Sequence, residues 1–261
     1  MLLQDTITED SARISLLDTI SLHEPGFIAS ELPGQLPLAY NKHTLPGLSR
    51  GKFERTLRRA LNEQFHTLLD KLPAPMQVRF PQLYMHAQKT FALTLLMLRL
   101  LDVTEAEQTT IAMGAFFHDI GKLAIDDDLL NKPGPLTPQE YTIIKCHPAY
   151  GADILTTYTS LSDVALLAYH HHERWDGEGY PDGIAGEAIP LGARMIAIAD
   201  AFDAMTSYRG YQVRRTPREA LDELQRCAGT QFDPLLVQLF RAGKLMPTHR
   251  TSIARSYLAS H

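Results

Sequence analysis

From Pro81 onward, apolar residues recur at three- and four-residue intervals with few breaks, the period of helices that bury one face. The pattern predicts helices over 82–101, 105–119, 138–156, 161–172, 191–207 and 217–228, and another after Asp233-Pro234. Three of these starts carry a Thr followed three residues later by Glu: Thr104/Glu107, Thr137/Glu140 and Thr216/Glu219. Such a pair is a capping box, whose side chains bond amide groups that a first helical turn leaves without partners. Pro138 and Pro217 stand at the first helical position, where a missing N–H costs nothing. Upstream, Phe53, Leu57, Ala60, Leu61, Phe65, Leu68 and Leu69 predict a helix within 52–72, which Leu72-Pro73-Ala74-Pro75 ends. The expected class is all-α, with one long irregular stretch at 173–190 that holds Gly177, Gly179, Pro181, Gly183 and Gly186. A loop of that length inside a compact domain usually has a function. The first 45 or so residues contain Pro25-Gly26, Pro33-Gly34 and Pro46-Gly47, turn signals without a motif.

Composition changes this picture little. The 261 residues, 44% hydrophobic and 21% charged, fit one large domain, or one of ordinary size with a smaller N-terminal piece. The expected division is an N-terminal segment at 1–75, a helical domain at 76–245 and a tail at 246–261. A net charge of -5 without a dense Lys/Arg stripe argues against a nucleic-acid duplex as partner. The longest apolar run, Phe91 to Leu98, is cut by Arg99 and falls short of the roughly 20 residues a spanning helix needs, so no membrane anchor is expected. Acidic residues between Asp5 and Asp10 stand where a secretory signal would be basic and then apolar, which makes the cytoplasm the expected location. Cys146 and Cys227 lack CxxC spacing and read as reduced thiols.

The histidines carry the chemistry. Six of the eleven fall between His86 and His172, several beside Asp or another His near predicted helix ends. A lone histidine is more often packing or surface than ligand, but a cluster calls for metal. Phe116-Phe117 places His118-Asp119 next to a buried face, where a carboxylate is costly unless a cation or donor meets it. Gly121 lets the helix end there, so that Lys122 turns back toward the same place.

The residues His118-Asp119-Ile120-Gly121-Lys122, His147-Pro148 and His171-His172-Glu173-Arg174-Trp175-Asp176-Gly177-Glu178-Gly179-Tyr180-Pro181 resemble the HD-GYP phosphodiesterases. The resemblance continues through Ile189-Pro190-Leu191, Ala199 to Ser207, Arg209 and Phe232-Asp233-Pro234. It implies a helical HD-domain bundle with a Gly-Tyr-Pro loop, and hydrolysis of cyclic di-GMP to linear pGpG and onward to GMP. It also implies two divalent ions, with iron or manganese favoured, because imidazoles and carboxylates without thiolates suit those metals at least as well as zinc. By that resemblance His86, His118, Asp119 and Asp200 hold one ion. Asp119, His147, His171 and His172 hold the other, and Asp119 bridges. Two ions about 3.5–4 Å apart activate a hydroxide held between them and stabilise the charge of an in-line displacement at phosphorus. Lys122 is expected to polarise a phosphate oxygen. Asp203 and Arg209 are expected at the mouth of the site, with Gly179, Tyr180 and Pro181 shaping it. The chain departs from the family pattern at Gly210 and Gln212, where a proline and a basic residue are common. It also has Gln82 where some members place a third-ion glutamate.

Other readings stay open. The chain could bind the dinucleotide without turning it over and signal by contact, or cleave another cyclic dinucleotide such as cyclic GMP-AMP. A homodimer or a signalling protein is the expected macromolecular partner. His170 lies about 100° around the helix from His171 and reads as facing elsewhere. Glu173 reads as an acceptor for a ligating imidazole or as a cap, and Asp126-Asp127-Asp128 as a solvated turn.

Overall fold

Every long apolar stretch after Pro81 is helical in the computed structural model, which describes residues 80–207 and 215–245. The helices are α1 (Pro81–Leu98), α2 (Glu105–Phe117), α3 (Asp127–Leu130), α4 (Pro138–Ile144), α5 (His147–Thr156), α6 (Ser162–His170), α7 (Leu191–Thr206), α8 (Pro217–Arg226) and α9 (Pro234–Leu245). Short 3-10 turns occupy Ile120–Ala124, Thr159–Leu161 and Gly186–Ala188. No strand forms among the described residues, only an isolated bridge between Ala228 and Phe232, so the all-α expectation holds. Among them no helix is long and apolar enough to cross a membrane. The expected helix at 52–72, Arg209, Gly210, Gln212 and the tail at 246–261 lie outside the described residues.

All three capping boxes form, with both reciprocal hydrogen bonds present at Thr104, Thr137 and Thr216. The expected helix at 138–156 is instead two helices, broken at Lys145-Cys146. Pro148 is the cause, because it has no N–H for the carbonyl of Ile144, four residues back. Asp126-Asp127-Asp128 faces solvent, as expected, but opens a helix rather than a turn: the Asp126 side chain accepts the Asp128 N–H at 2.9 Å and caps α3.

The core centres on α7. Its residues Ala193, Met195, Ile196, Ile198, Ala199 and Phe202 are all buried, as a helix covered on every side requires. Around it α1 packs on α2 and α7, α6 on α2 and α5, and α9 on α1. Phe116 meets Phe91 and Phe117 edge to face at 6.5 and 5.0 Å, each ring worth about 1.5–3 kcal/mol of burial. The Ile120–Ala124 turn presses against the start of α5 so closely that a Cβ on Gly121 would lie 1.9 Å from the His147 carbonyl oxygen. Only glycine allows that approach. The turn thereby sets the His118-Asp119 pair against His147.

Candidate metal centre

Three histidines sit at helix ends, and the backbone there orients them. His118 ends α2, His147 begins α5 and His171 ends α6. Each turns Nδ1 to the carbonyl three residues earlier: His118 to Ala115 at 2.9 Å, His147 to Ile144 at 2.8 Å and His171 to Ala168 at 2.6 Å. A carbonyl only accepts, so each Nδ1 carries the proton and each Nε2 presents a lone pair. The acceptors are carbonyls of the last helical turns, which have no partner inside their own helix. His86, on α1, is oriented by a side chain instead, with Nδ1 2.7 Å from Asp203 Oδ2.

The lone pairs converge on Asp119, which is buried. Its Oδ2 lies 3.4 Å from His118 Nε2 and 3.7 Å from His86 Nε2, while Oδ1 lies 3.2 Å from His147 Nε2 and 3.9 Å from His171 Nε2. Asp200 Oδ1 is 2.9 Å from His86 Nε2. The His172 ring is 4.1 Å from that of His171 and 4.9 Å from that of His147. Two ligand groups result, His86/His118/Asp119 and Asp119/His147/His171/His172, joined through the two oxygens of one carboxylate. Donor atoms about 3–3.5 Å apart are what ligands on a common ion show when each bond is about 2.1 Å. The arrangement fits divalent metal.

Charge agrees with that fit. Burial holds the His171 and His172 pKa values well below the usual imidazole value, and neighbouring histidines push them further, so both rings are neutral ligands at pH 7. Burial would raise the Asp119 pKa, yet Lys122, His118 and His147 outweigh it and hold the group well below the usual carboxylate value. Asp200 is likewise lowered against its burial, mainly by His86. For His86 burial acts to lower the pKa, but hydrogen bonds to Asp200 and Asp203 push it up to about 9. Without metal the centre therefore carries a protonated His86 between two carboxylates.

Lys122 is buried rather than at the surface, with Nζ 2.8 Å from Asp119 Oδ2. Asp203 is corrected: it lies not at the mouth but behind His86, buried, and also accepts the Ser207 hydroxyl at 2.7 Å. One helical turn separates it from Asp200, so the two carboxylates meet opposite nitrogens of one ring. Sequence spacing alone could have put Asp203 on the same face of α7 as Asp200, though not beside His86. Gly179 and Tyr180 line a cleft with His171, His172, Asp200 and the small residues Ala197, Ala201 and Ala204 of α7. Tyr180 stacks on the His172 ring at 4.8 Å, and the Lys145 ammonium lies 4.6 Å from the Tyr180 ring centroid, a contact the sequence reading missed. Pro181 follows a cis peptide bond. A Cβ on Gly179 would lie 2.4–2.6 Å from backbone atoms of His172, Glu173 and Arg174, so glycine lets the loop fold back on the histidine pair. Asp233 also has a role the sequence did not reveal: it pairs with buried Arg194 at 2.7 Å and caps α9 through the Leu235 and Leu236 amides.

The HD domain family matches residues 75–236. Over 146 residues the chain is 45% identical to the cyclic di-GMP phosphodiesterase response regulator RpfG of Xanthomonas campestris, covering 55% of this chain and 39% of the relative. Over 181 residues it is 36% identical to 3'3'-cGAMP-specific phosphodiesterase 2 of Vibrio cholerae, covering 69% of this chain and 35% of the relative. An HDG"Y"P protein from Bdellovibrio bacteriovorus has a similar fold, with TM-score 0.53 at 19% identity over 73% of this chain and 62% of that one. The chain thus spans well under half the length of the curated relatives it matches.

Proposed function

The chain belongs to the HD domain family and carries the HD-GYP motifs, and on that premise we propose that it hydrolyses cyclic di-GMP to linear pGpG, and onward to GMP, as a metal-dependent phosphodiesterase. The observation that carries the reading is Asp119, whose two oxygens each face a separate set of imidazoles. His86, His118, Asp119 and Asp200 would hold one divalent ion and Asp119, His147, His171 and His172 the other, with iron or manganese the metals that suit this donor set. Bound there, the pair supplies Lewis acidity that activates water and offsets charge on phosphate oxygens. Lys122 keeps Asp119 ionised and offers its ammonium to a phosphate oxygen as charge develops. Asp203 keeps the His86 ring turned so that Nε2 faces Asp119 and Asp200. Gly179 and Tyr180 close one side of the cleft and the α7 alanines leave room for a base on the other. Arg209 is expected to bind phosphate or a guanine edge, and the cytoplasm is the expected place.

A second reading, cleavage of 3'3'-cGAMP, is favoured by relatives named for that substrate at 34–37% identity. One experiment separates the two. Chelator-treated protein is reloaded anaerobically with iron or manganese and offered cyclic di-GMP, 3'3'-cGAMP and a nucleotide monoester, with products identified. Cyclic di-GMP should be opened fastest, and Asp119→Ala should abolish turnover with loss of metal. Binding of dinucleotide without turnover would leave a signalling module in place of the enzyme.

A further inference from the structure

A second group of ligand-type side chains lies where the end of α6 meets the loop that follows. His170, Glu173 and Asp182 each bring one nitrogen or oxygen atom within 4.8 Å of the others. They share no side chain with the centre around Asp119. His170 faces this corner, with Nδ1 3.7 Å from Glu173 Oε1. That oxygen accepts the backbone N–H groups of Asp182 at 2.7 Å and Gly183 at 3.1 Å. The other carboxylate oxygen of Glu173, and His170 Nδ1, are buried without a hydrogen-bond partner. The two side chains are 0% and 10% exposed.

Charge is unanswered as well. Among the described residues neither Glu173 nor Asp182 pairs with a lysine or arginine, and the adjacent Arg174 pairs with Asp176. Asp182 receives a neutral donor, the Tyr169 hydroxyl at 3.1 Å. Buried polar atoms without partners are rare in folded proteins. A water could donate to the Glu173 oxygen, but it would bring no lysine or arginine to two neighbouring carboxylates.

We propose that His170, Glu173 and Asp182 form a separate divalent-cation site that pins the Gly179-Tyr180-Pro181 loop to the end of α6. One imidazole and two carboxylates suit manganese, iron or zinc. Asp182 directly follows Pro181, and Glu173 directly follows His172, so an ion held by both ties the loop to the ligand pair. The tie runs parallel to the hydrogen bond from the Tyr180 N–H to the His172 carbonyl, 3.2 Å. Trp175, the chain's single tryptophan, lies between these ligands in sequence and reports on the loop.

The test uses the full chain, stripped with a chelator and reloaded with manganese(II) alone, with bound metal counted by elemental analysis and Trp175 emission followed during loading. Wild-type protein should bind one ion per chain more than Asp182→Ala, an exposed position whose replacement leaves the fold intact by circular dichroism. The step in Trp175 emission that belongs to this ion should be missing from Asp182→Ala and from His170→Ala. In an Asp119→Ala background, where the main centre loses its bridge, one ion per chain should remain and should vanish when Asp182→Ala is added. If both single variants bind as many ions as wild type with the same emission response, the site does not exist. Should Asp119→Ala misfold, the single variants still decide. No readout requires turnover, so failure here is separate from failure of the phosphodiesterase reading.

Discussion

Stripping the metal should make the protein lose stability as the pH is raised from neutral to alkaline, because of one side chain. His86 is buried between Asp200 at 2.9 Å and Asp203 at 2.7 Å. Burial opposes its charge, but the two carboxylates win and move its pKa from 6.5 to about 9. A histidine whose folded pKa lies above its unfolded value contributes stability that is fully present below the unfolded value and is lost as pH rises through the folded one. The window is therefore pH 6.5 to about 9. That span, at about 1.4 kcal/mol per pH unit, comes to about 3 kcal/mol. For a domain of this size the loss is a fall of about 6–12 °C in Tm. The other displaced groups act elsewhere. His171 and His172, held below the usual value, cost stability only on the acid side, where the unfolded chain takes up their protons, and Asp119 and Asp200 act at lower pH still. Stability of the chelated protein should thus peak near neutrality. Metal affinity should run the opposite way, rising about tenfold per pH unit toward 9, because an ion can bind Nε2 only after His86 gives up its proton. Urea midpoints measured across this range with EDTA, beside manganese titrations over the same range, check both slopes. A chelated protein as stable at the alkaline end as at neutrality, or a His86→Gln variant with an unchanged slope, would refute the reasoning.

Gly121→Ala should cost about 3 kcal/mol or more in urea unfolding, since its Cβ would sit 1.9 Å from the His147 oxygen and 2.4 Å from the Gly151 nitrogen. Gly151→Ala, whose nearest contact is 3.3 Å, should cost less, and equal losses would mean the turn is not tightly packed. Lys122→Ala should lower turnover about 10²–10³-fold with metal content nearly unchanged, read by steady-state kinetics beside elemental analysis. Asp203→Asn should weaken metal affinity about 10–100-fold by releasing the His86 ring, measured by competition with a chelator, whereas a role at the cleft mouth would alter KM and leave metal binding alone.

The parts legible in the sequence are those whose cause is local. A Thr with Glu three residues later specifies its own helix start, and all three such starts are where the sequence put them. The clustered histidines were legible through their motif company, and the fold brings them onto Asp119 in groups that could hold metal. The break at Lys145-Cys146 was available from Pro148 but was overridden by the longer apolar period. Other features depend on residues far apart in the chain. Nothing near Arg194 announces Asp233, 39 residues later, and nothing near His86 announces Asp203, 117 residues later. Glu173 was legible as an acceptor but not as the anchor for the Asp182 and Gly183 amides, because that depends on the loop returning to it.

The placement of ligands at helix ends has a physical consequence for assembly of the centre. A cluster of five imidazoles and two carboxylates would relax apart if each ring were free to turn, and metal binding would then have to order it. Here His118, His147 and His171 are fixed by carbonyls that the helices leave available in any case, so their tautomers are set before metal arrives. The Lys122 and Lys89 ammonium groups and a protonated His86 supply the positive charge that keeps Asp119, Asp200 and Asp203 together meanwhile. An ion held at Nε2 would take the place of the His86 proton rather than create the arrangement. The backbone thus preorganises three of the five imidazoles. The sharp turn at Gly121, which sets Asp119 against His147, belongs to the same preorganisation.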